Sequence, residues 1–522
     1  MVKYVLLALY VIFIVYVGIK SKSSAVESSE GFLLGGRSIG PILTSFSFAA
    51  TYVSGVCIVN AGKFGWNYGI GALYNAWGNV LLGIILTWFL LGSRSRSMSE
   101  KLDVQTLPDF LRARFNTDYF KIAGGLIIFI FLVPYTASVF TCLSYLFESV
   151  FHIPYTTSFI AMALLAIFYL TIGGYRAAAS IDVIQGAIML IGGIVIVYFT
   201  LSAPEVGGLA NGIARLKDVV STTTSGEPIT GAELTSWNLG GNFALLGGFI
   251  PMLLLTSLAP NGLPQLVQKF FAIENAKLVR IGGVVCTILG LIILTSVHIP
   301  GFFAHLFYDT LPLDSVTGNP NIDLLAPQIL EKILPEFFLA VVLLLVLSAS
   351  MSTLAGLVLV SSSAVGLDLI KGYLKKDMDE RKVTHLLKAL SALFILAALA
   401  IALIRPAAII ALMGLSWGAV SGFFMSAYIY GILSKKTTTA GAIAGSICGF
   451  ALAVGLPLFK ITDTVSACMY ACLVPLAITP IISFFTEKMD PGFIEFAYSE
   501  DMSVVGYDHK NNRGMIDTGE AM

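Results

Sequence analysis

The stretch SFAATYVSG, residues 47–55, carries three hydroxyl side chains, a tyrosine and a glycine inside an otherwise apolar run. The surrounding segment, about 41–62, is long enough to cross a bilayer, which takes about 20 apolar residues. Small and polar residues at the centre of such a segment predict an interruption of the helix. Backbone broken within a membrane is tolerated only where it is buried in protein or lines a cavity. The stretch therefore predicts an open backbone facing a cavity.

A second interruption is predicted at APNGLP, residues 259–264, where two prolines flank Asn261 and Gly262. Proline removes a helical hydrogen bond and clashes with the preceding turn. The two interruptions fall in the second and seventh predicted spans, so the broken helices run in opposite directions. Paired breaks of this kind are typical of inverted-repeat transporters, in which half-helix ends and unwound carbonyls bind ion and substrate. Independent proline kinks in a packed bundle are the alternative.

The whole chain has the composition of an all-α polytopic membrane protein: 522 residues, 57% hydrophobic and 12% charged. The first apolar run lacks a clear small-x-small cleavage site, so we interpret it as a retained helix rather than a signal peptide. Hydropathy predicts about thirteen transmembrane helices, at about 3–19, 41–62, 66–92, 121–149, 155–173, 181–202, 243–263, 278–303, 335–366, 385–404, 407–433, 438–458 and 464–485.

The basic residues are distributed unevenly between the two sides that these spans define. Alternate loops hold 24 of the 31 lysines and arginines, and the remaining loops hold 7. Loops rich in basic residues face the cytoplasm. We therefore expect a multi-pass protein of the cell membrane with its N-terminus outside and its C-terminus inside.

Several functional classes are disfavoured by the residues present. Formal charge is zero, so nothing indicates a nucleic acid partner. The six cysteines and five histidines form no metal-ligand pattern, and no cofactor is indicated. Spans without paired ionisable residues argue against an enzyme, and a short polar tail argues against a sensor with an output module. Proton coupling would need a titratable group beside the breaks, and sodium coupling would not.

A third polar feature lies in the ninth predicted span, in LSASMSTLAGLVLVSSSAVG, residues 347–366. Ala349, Ser352 and Thr353 share one helix face because they are three and four residues apart. Two hydroxyls beside a carbonyl could supply part of the oxygen shell of a sodium ion. Small and hydroxyl residues are also enriched at helix contacts in membranes, so the same pattern is compatible with packing alone.

Several of these stretches, in this order, resemble the sodium:solute symporter family, which includes the bacterial proline and pantothenate carriers and the sodium–glucose transporters. They are FLLGGRSIGP (32–41), AATYVSG (49–55), LFES (146–149), IGGYRAAASIDVIQG (172–186), GLPQLVQKFFA (262–272) and SASMSTLAG (348–356). The resemblance implies a LeuT-type core of two inverted five-helix repeats with broken first and sixth core helices. Transport by alternating access is the function it implies.

The resemblance also implies which residues bind sodium. These are the backbone oxygens of Ala50, Val53 and Ala349 and the hydroxyls of Ser352 and Thr353. An acidic residue associated with ion passage in the family corresponds to Asp182. Ala355 and Gly356 stand where some members place hydroxyls for a second ion, so we predict a single sodium site.

The substrate side departs from the proline carriers. Tyr52 stands where they have an acidic residue, and Thr256 and Pro260 stand where they have aromatic residues. We therefore predict an organic carboxylate such as pantothenate or a monocarboxylate, with a proline-like amino acid or a sugar as alternatives. The predicted cavity is lined by Tyr52, Ser54, Tyr135, Thr256, Pro260 and Asn261.

The predicted organisation has six parts. An extra helix and cytoplasmic loop (1–40) precede the first repeat (41–202), and an outer loop (203–242) separates it from the second repeat (243–433). Two additional helices (434–486) and a cytoplasmic tail (487–522), read as disordered around YDHKNNRG, complete the chain. The partners expected are the bilayer, sodium and a small-molecule solute, with no obligatory protein partner.

Overall fold

A computed structural model describes residues 2–20, 28–151, 153–237, 243–313, 318–404, 409–499, 504–508 and 513–516. In these ranges the helices are α1 (Val2–Lys20), α2 (Ser29–Leu34), α3 (Pro41–Tyr52), α4 (Gly55–Tyr68), α5 (Gly71–Gly78), α6 (Ser93–Lys101), α7 (Leu107–Phe115), α8 (Tyr119–Phe151), α9 (Tyr155–Ser202), α10 (Leu209–Leu216), α11 (Gly231–Leu234), α12 (Phe243–Ser257), α13 (Pro264–Ala272), α14 (Val279–Phe302), α15 (Ala304–Phe307), α16 (Leu325–Ile333), α17 (Glu336–Ser363), α18 (Glu380–Leu403), α19 (Ile409–Leu433), α20 (Thr439–Leu458), α21 (Thr464–Phe485) and α22 (Pro491–Tyr498).

Wider π-helical turns extend some of these helices. Asn79–Ile85 and Thr87–Gly92 join α5 to α6, and Ala364–Leu374 continues α17. Single 3₁₀ turns lie at Gly35–Arg37, Ala259–Gly262, Ala276–Leu278 and Ile322–Leu324.

Ten helices in the described ranges are long and apolar enough to cross a membrane, and the bent pair α3–α4 brings the number to eleven. One of the ten, α9, has 48 residues, more than twice what a crossing needs, and its Gly174 is non-helical at φ 55° and ψ −151°. The seventh predicted span is divided between the 15-residue α12 and the 9-residue α13. The multi-pass helical architecture is confirmed, and the count of thirteen stays a prediction.

Two short antiparallel strand pairs accompany the helices. β1 (Val220–Thr222) pairs with β2 (Pro228–Thr230) in the predicted outer loop. β3 (Val504–Asp508) pairs with β4 (Arg513–Ile516) in the tail. The prediction of disorder around YDHKNNRG is therefore wrong for the residues of that stretch that the strands contain, 507–508 and 513–514.

The tail folds because aromatic side chains pack within it. The ring centroid of Tyr507 on β3 lies 5.2 Å from that of Phe493, in an edge-to-face arrangement, and 5.2 Å from that of Phe496, in a tilted one; both phenylalanines are on α22. The hydroxyl of Tyr498 donates to the carbonyl of Gly431 at the end of α19 (2.7 Å), and the buried guanidinium of Arg114 donates to the same carbonyl (2.9 Å). The tail is thereby joined to the helical body.

The loops predicted to lie inside come together at one end of the molecule. Arg37 donates to the carbonyl of Val104 (2.7 Å), Ile39 pairs with Ile273, and the Ser29 amide donates to Glu380 (3.0 Å). At the other end, the indole of Trp66 donates to the carbonyl of Thr222 (2.9 Å), and Trp66 and His305 rings lie 3.9 Å apart.

Helix α14, which is continuous from Val279 to Phe302, runs beside both halves of the first broken helix. The Ser45 hydroxyl on α3 donates to the carbonyl of Gly282 (2.8 Å). At the far end, Gly65 on α4 lies so close to Gly301 that a Cβ on Gly65 would overlap the Gly301 carbonyl group. Only glycine permits this approach of two backbones. Helix α14 thus contacts the broken helix on each side of its break.

Candidate ion- and solute-binding site

The first predicted interruption is present between α3 and α4. Helix α3 ends at Tyr52, Val53 leaves the helical region at φ −85° and ψ 79°, and Ser54 caps α4. The two helix axes differ in direction by 54°. The predicted break at residues 47–55 is confirmed, and all its residues are buried.

The break frees the carbonyls that the resemblance assigns to sodium. In a continuous helix, the Ser54 amide would donate to the carbonyl of Ala50, and the Cys57 amide to that of Val53. Instead the Ser54 amide donates to Tyr52 (3.1 Å) and the Cys57 amide to Ser54 (3.0 Å). Two buried carbonyl oxygens are thereby removed from the helical hydrogen-bond pattern.

Helix α17 brings the other predicted sodium ligands to this break. The hydroxyl of Thr353 lies 2.9 Å from the carbonyl of Ala349 and 3.1 Å from that of Thr51. The hydroxyl of Ser352 lies 3.0 Å from that of Thr51. Thr51 is a site residue that the sequence analysis missed, although it lies within the stretch that predicts the break.

Gly55 allows α4 and α17 to approach so closely. A Cβ at this position would overlap the hydroxyl of Ser350, and it would lie 3.3 Å from the sulfur of Cys142. The Ser350 hydroxyl has no hydrogen-bond partner among the described residues. The glycine that appeared out of place in an apolar helix is thus explained by packing.

The donor set contains carbonyl and hydroxyl oxygens, which suit a hard cation such as sodium. In the described part of the chain, no three His, Cys, Asp or Glu side chains are grouped to hold a metal ion. The six cysteines are all free. The observed hydrogen bonds would also serve helix packing, so the sodium assignment of these residues stays a prediction.

Tyr52 belongs to a buried network of uncharged polar side chains. Its hydroxyl lies 2.9 Å from Asn79 Oδ1 and 3.0 Å from the carbonyl of Thr256. The Asn79 amide donates to the Thr256 hydroxyl (3.1 Å), and Asn75 links that hydroxyl (3.0 Å) to His298 Nε2 (3.1 Å). The structure therefore joins the two predicted cavity residues Tyr52 and Thr256.

The sequence analysis missed Asn75, Asn79 and His298. The two asparagines lie four residues apart in an apolar span and so share a helix face, which was a detectable signal. Gly83, one turn beyond Asn79, leaves room for the phenol of Tyr52, because a Cβ there would overlap its hydroxyl.

The second interruption is confirmed at Ala259–Gly262, a buried 3₁₀ turn that contains Pro260. The amide of Asn261 donates to the carbonyls of Leu82 (3.1 Å) and Leu258 (2.9 Å), and its Oδ1 accepts from Thr87 (2.5 Å). This asparagine therefore stabilises the broken turn, in addition to any contact with a solute.

Tyr135 and Ser54 are the two remaining residues of the predicted cavity. The Tyr135 ring meets Trp417 edge to face, with centroids 5.4 Å apart, and only 1% of the residue is exposed. The Ser54 hydroxyl accepts from the Cys57 amide (3.4 Å) and so caps α4. Solute contacts of both residues stay predictions.

Asp182, the predicted ion-pathway residue, forms a buried ion pair. Its carboxylate lies 3.4 Å from Lys269 Nζ on α13 and accepts from the hydroxyl of Ser47. Lys269 lies outside the predicted spans, between 243–263 and 278–303, but the structure places it on helix α13 with 2% of the residue exposed. Neither Ser47 nor Lys269 was predicted to join Asp182.

This arrangement of two broken helices facing α17 agrees with a family match over residues 32–449, most of the chain. The chain belongs to the sodium:solute symporter family. It is 29% identical over 505 residues to sodium/proline symporter 2 of Staphylococcus saprophyticus, covering 93% of this chain and 92% of that one. It is 28% identical over 511 residues to a sodium/proline symporter of Staphylococcus aureus, covering 94% of each.

Among solved structures, a Na⁺-coupled sialic acid symporter in a substrate-bound, outward-open state superimposes with a TM-score of 0.75. The alignment covers 94% of this chain and 99% of that one, at 17% sequence identity. At this identity the likeness concerns the fold alone. The protein is therefore a multi-pass membrane transporter with the fold of a sodium-coupled symporter, and sodium as coupling ion follows from the family.

Proposed function

We propose that this symporter imports a small organic solute together with one sodium ion, held by Ala50, Val53, Ala349, Ser352 and Thr353. The observation that carries the proposal is the meeting of the α3–α4 break with Ser352 and Thr353 on α17. Carbonyls removed from a helical pattern and hydroxyls on the facing helix form an oxygen-rich site without a carboxylate.

Sodium binding from outside would stabilise the arrangement of the broken helices that accepts solute, and both would then be released inward. An ion moved inward gains about 2.3 kcal/mol per 100 mV of membrane potential. This mechanism requires the N-terminus outside and the tail inside. The clustering of the basic loops at one end of the molecule supports that orientation.

The solute would contact the network around Tyr52, at a site with hydroxyl and amide groups and no acidic side chain. The N-terminus of α4, at the break, favours negative charge. These features support an organic carboxylate such as pantothenate or a monocarboxylate. The names of the two curated relatives favour proline as the second candidate.

The test combines a binding screen with a transport assay. Purified protein is screened by thermal shift against carboxylates, amino acids, sugars and vitamins, with and without sodium, because a ligand raises the melting temperature. The stabilising solute is then followed into proteoliposomes. Uptake that persists when potassium or choline replaces sodium would overturn sodium coupling. Binding without uptake would favour a sensor, and uptake driven by a pH gradient would favour proton coupling.

A further inference from the structure

A small cavity lies between α7, α8, α13 and the π-helical extension of α17, away from the network around Tyr52. Its volume is about 10 Å³, room for about one water molecule or ion. The oxygen-bearing side chains that line it belong to Thr106, Gln268, Ser363 and Asp368.

Asp368 is the unusual member of this lining. It is 1% exposed, and its Oδ1 accepts from the hydroxyl of Thr106 (2.7 Å). Its other oxygen, Oδ2, is buried without a hydrogen-bond partner among the described residues. A buried carboxylate without a neutralising partner is unfavourable by several kcal/mol.

The charged groups nearest to Asp368 already have partners. Lys121 Nζ lies 2.8 Å from Asp109, and Arg112 Nε lies 2.7 Å from the same carboxylate. Asp182, by contrast, has Lys269 as its own counter-ion. Asp368 is therefore the buried carboxylate better suited to receive a cation.

The neighbouring hydroxyls, and one hydrogen of the neighbouring amide, already have hydrogen-bond acceptors. The Ser363 hydroxyl donates to the carbonyl of Val360 (2.9 Å), and the Thr106 hydroxyl donates to Asp368 itself. The Gln268 amide donates to the carbonyl of Leu33 (3.3 Å). These groups keep oxygen lone pairs for the cavity, as a hard cation requires.

A buried oxygen lies between this cavity and the proposed sodium site. Gln265 on α13 is 3% exposed, and its Oε1 has no partner among the described residues. A Cβ built on Gly356 would lie 3.4 Å from Gln265 Cβ and 3.4 Å from Thr51 Cγ2, so these residues are neighbours. Pro264 and Gln268, on either side of Gln265 along α13, line the cavity.

We propose that the cavity at Asp368 is a second sodium site, which receives the ion after it leaves Ser352 and Thr353 and before it reaches the cytoplasm. This inference rests on the sodium site of the proposed function. Thr353 and Asp368 are 15 residues apart, about 22 Å along an α-helix. Gln265 bridges part of that distance, and the unpartnered carboxylate attracts the ion inward.

The test measures equilibrium binding of ²²Na⁺ to the purified full-length protein, so it needs no solute. Wild-type protein should show two components. Asp368→Asn keeps the side-chain shape and an oxygen that can accept from Thr106. In this variant the sodium affinity of one binding component should fall at least tenfold, and that of the other should be unchanged. The double variant Ser352→Ala/Thr353→Ala should weaken the component that Asp368→Asn keeps, and it should keep the component that Asp368→Asn weakens.

Two further variants guard against misfolding. Ser363→Ala removes only a cavity hydroxyl and should weaken the same component as Asp368→Asn. Asp323→Asn removes a carboxylate that is 6% exposed near the opposite end of the molecule, and it should keep both components. Each protein is also checked for monodisperse elution and melting temperature.

The outcomes separate this inference from the proposed function. If folded Asp368→Asn and Ser363→Ala bind both ions as the wild type does, or if Asp368→Asn loses both components, the second site is refuted. If Asp368→Asn alone does not fold, Ser363→Ala decides. If the double variant of Ser352 and Thr353 binds normally, the sodium site of the proposed function is wrong.

Discussion

The ion pair between Asp182 and Lys269 provides a sharp test of the packing between the two repeats. Both side chains are at most 3% exposed, and their charged atoms lie 3.4 Å apart. At an effective dielectric constant of about 20, this distance corresponds to an attraction of about 5 kcal/mol. Removing one partner leaves the other charge buried and should destabilise the protein by about 3–5 kcal/mol.

The perturbation is a double-mutant cycle with Asp182→Asn, Lys269→Gln and the variant that carries both. The free energy of unfolding is measured by titrating detergent-solubilised protein with SDS. Each single variant should lose about 3–5 kcal/mol, and the double variant should recover most of this loss, because no buried charge remains unpaired.

A matched control is the exposed ion pair between Lys332 and Glu205, whose charged atoms lie 3.1 Å apart. Its side chains are 43% and 31% exposed, so Glu205→Gln should change stability by about 0–1 kcal/mol. The reasoning would be contradicted if Asp182→Asn lowered the free energy of unfolding by as little as this control does. It would also be contradicted if the loss in the double variant equalled the sum of the two single losses.

Three further predictions concern the site and the cytoplasmic end. Ser352→Ala and Thr353→Ala should each raise the sodium concentration for half-maximal uptake about tenfold, whereas Ser362→Ala, whose hydroxyl bonds only within its own helix, should not; equal effects would favour packing alone. Gly83→Ala should displace the phenol of Tyr52 at the proposed solute site and weaken solute binding about tenfold in thermal-shift titrations, with ²²Na⁺ binding unchanged. Burial raises the pKa of Asp109, but its ion pairs with Lys121 and Arg112 outweigh burial and hold that pKa below its usual value. Its stabilisation is therefore present above about pH 4 and is lost as the pH falls through the lowered pKa. The melting temperatures of wild type and Asp109→Asn should differ at pH 7, and the difference should shrink as the pH falls below about 4.

The two interruptions were predictable because their causes are local. Prolines flank Asn261 and Gly262, and hydroxyls accompany Gly55, so sequence alone identified both breaks. The face formed by Ser352 and Thr353 was predictable from helical spacing, and the structure places it against the first break.

The partners of these features depend on contacts between distant parts of the chain. Hydropathy assigns a lysine to a loop, yet Lys269 is neutralised inside by a carboxylate 87 residues away. Asn75 and Asn79 share a face, but only the fold brings Tyr52 to them. Disorder was predicted around YDHKNNRG because the stretch is polar, whereas its Tyr507 contacts Phe493 and Phe496 on α22.

The contacts of α14 with both halves of the first broken helix have a consequence for how the transporter moves. The continuous 24-residue helix α14 contacts α3 through Ser45 and α4 through Gly65, so it packs against both sides of the bend. We therefore expect the 54° angle at Val53 to be kept during transport, with α3, α4 and α14 moving together. Opening and closing would then change the contacts between these helices and α17, where the proposed sodium ligands Ser352 and Thr353 lie.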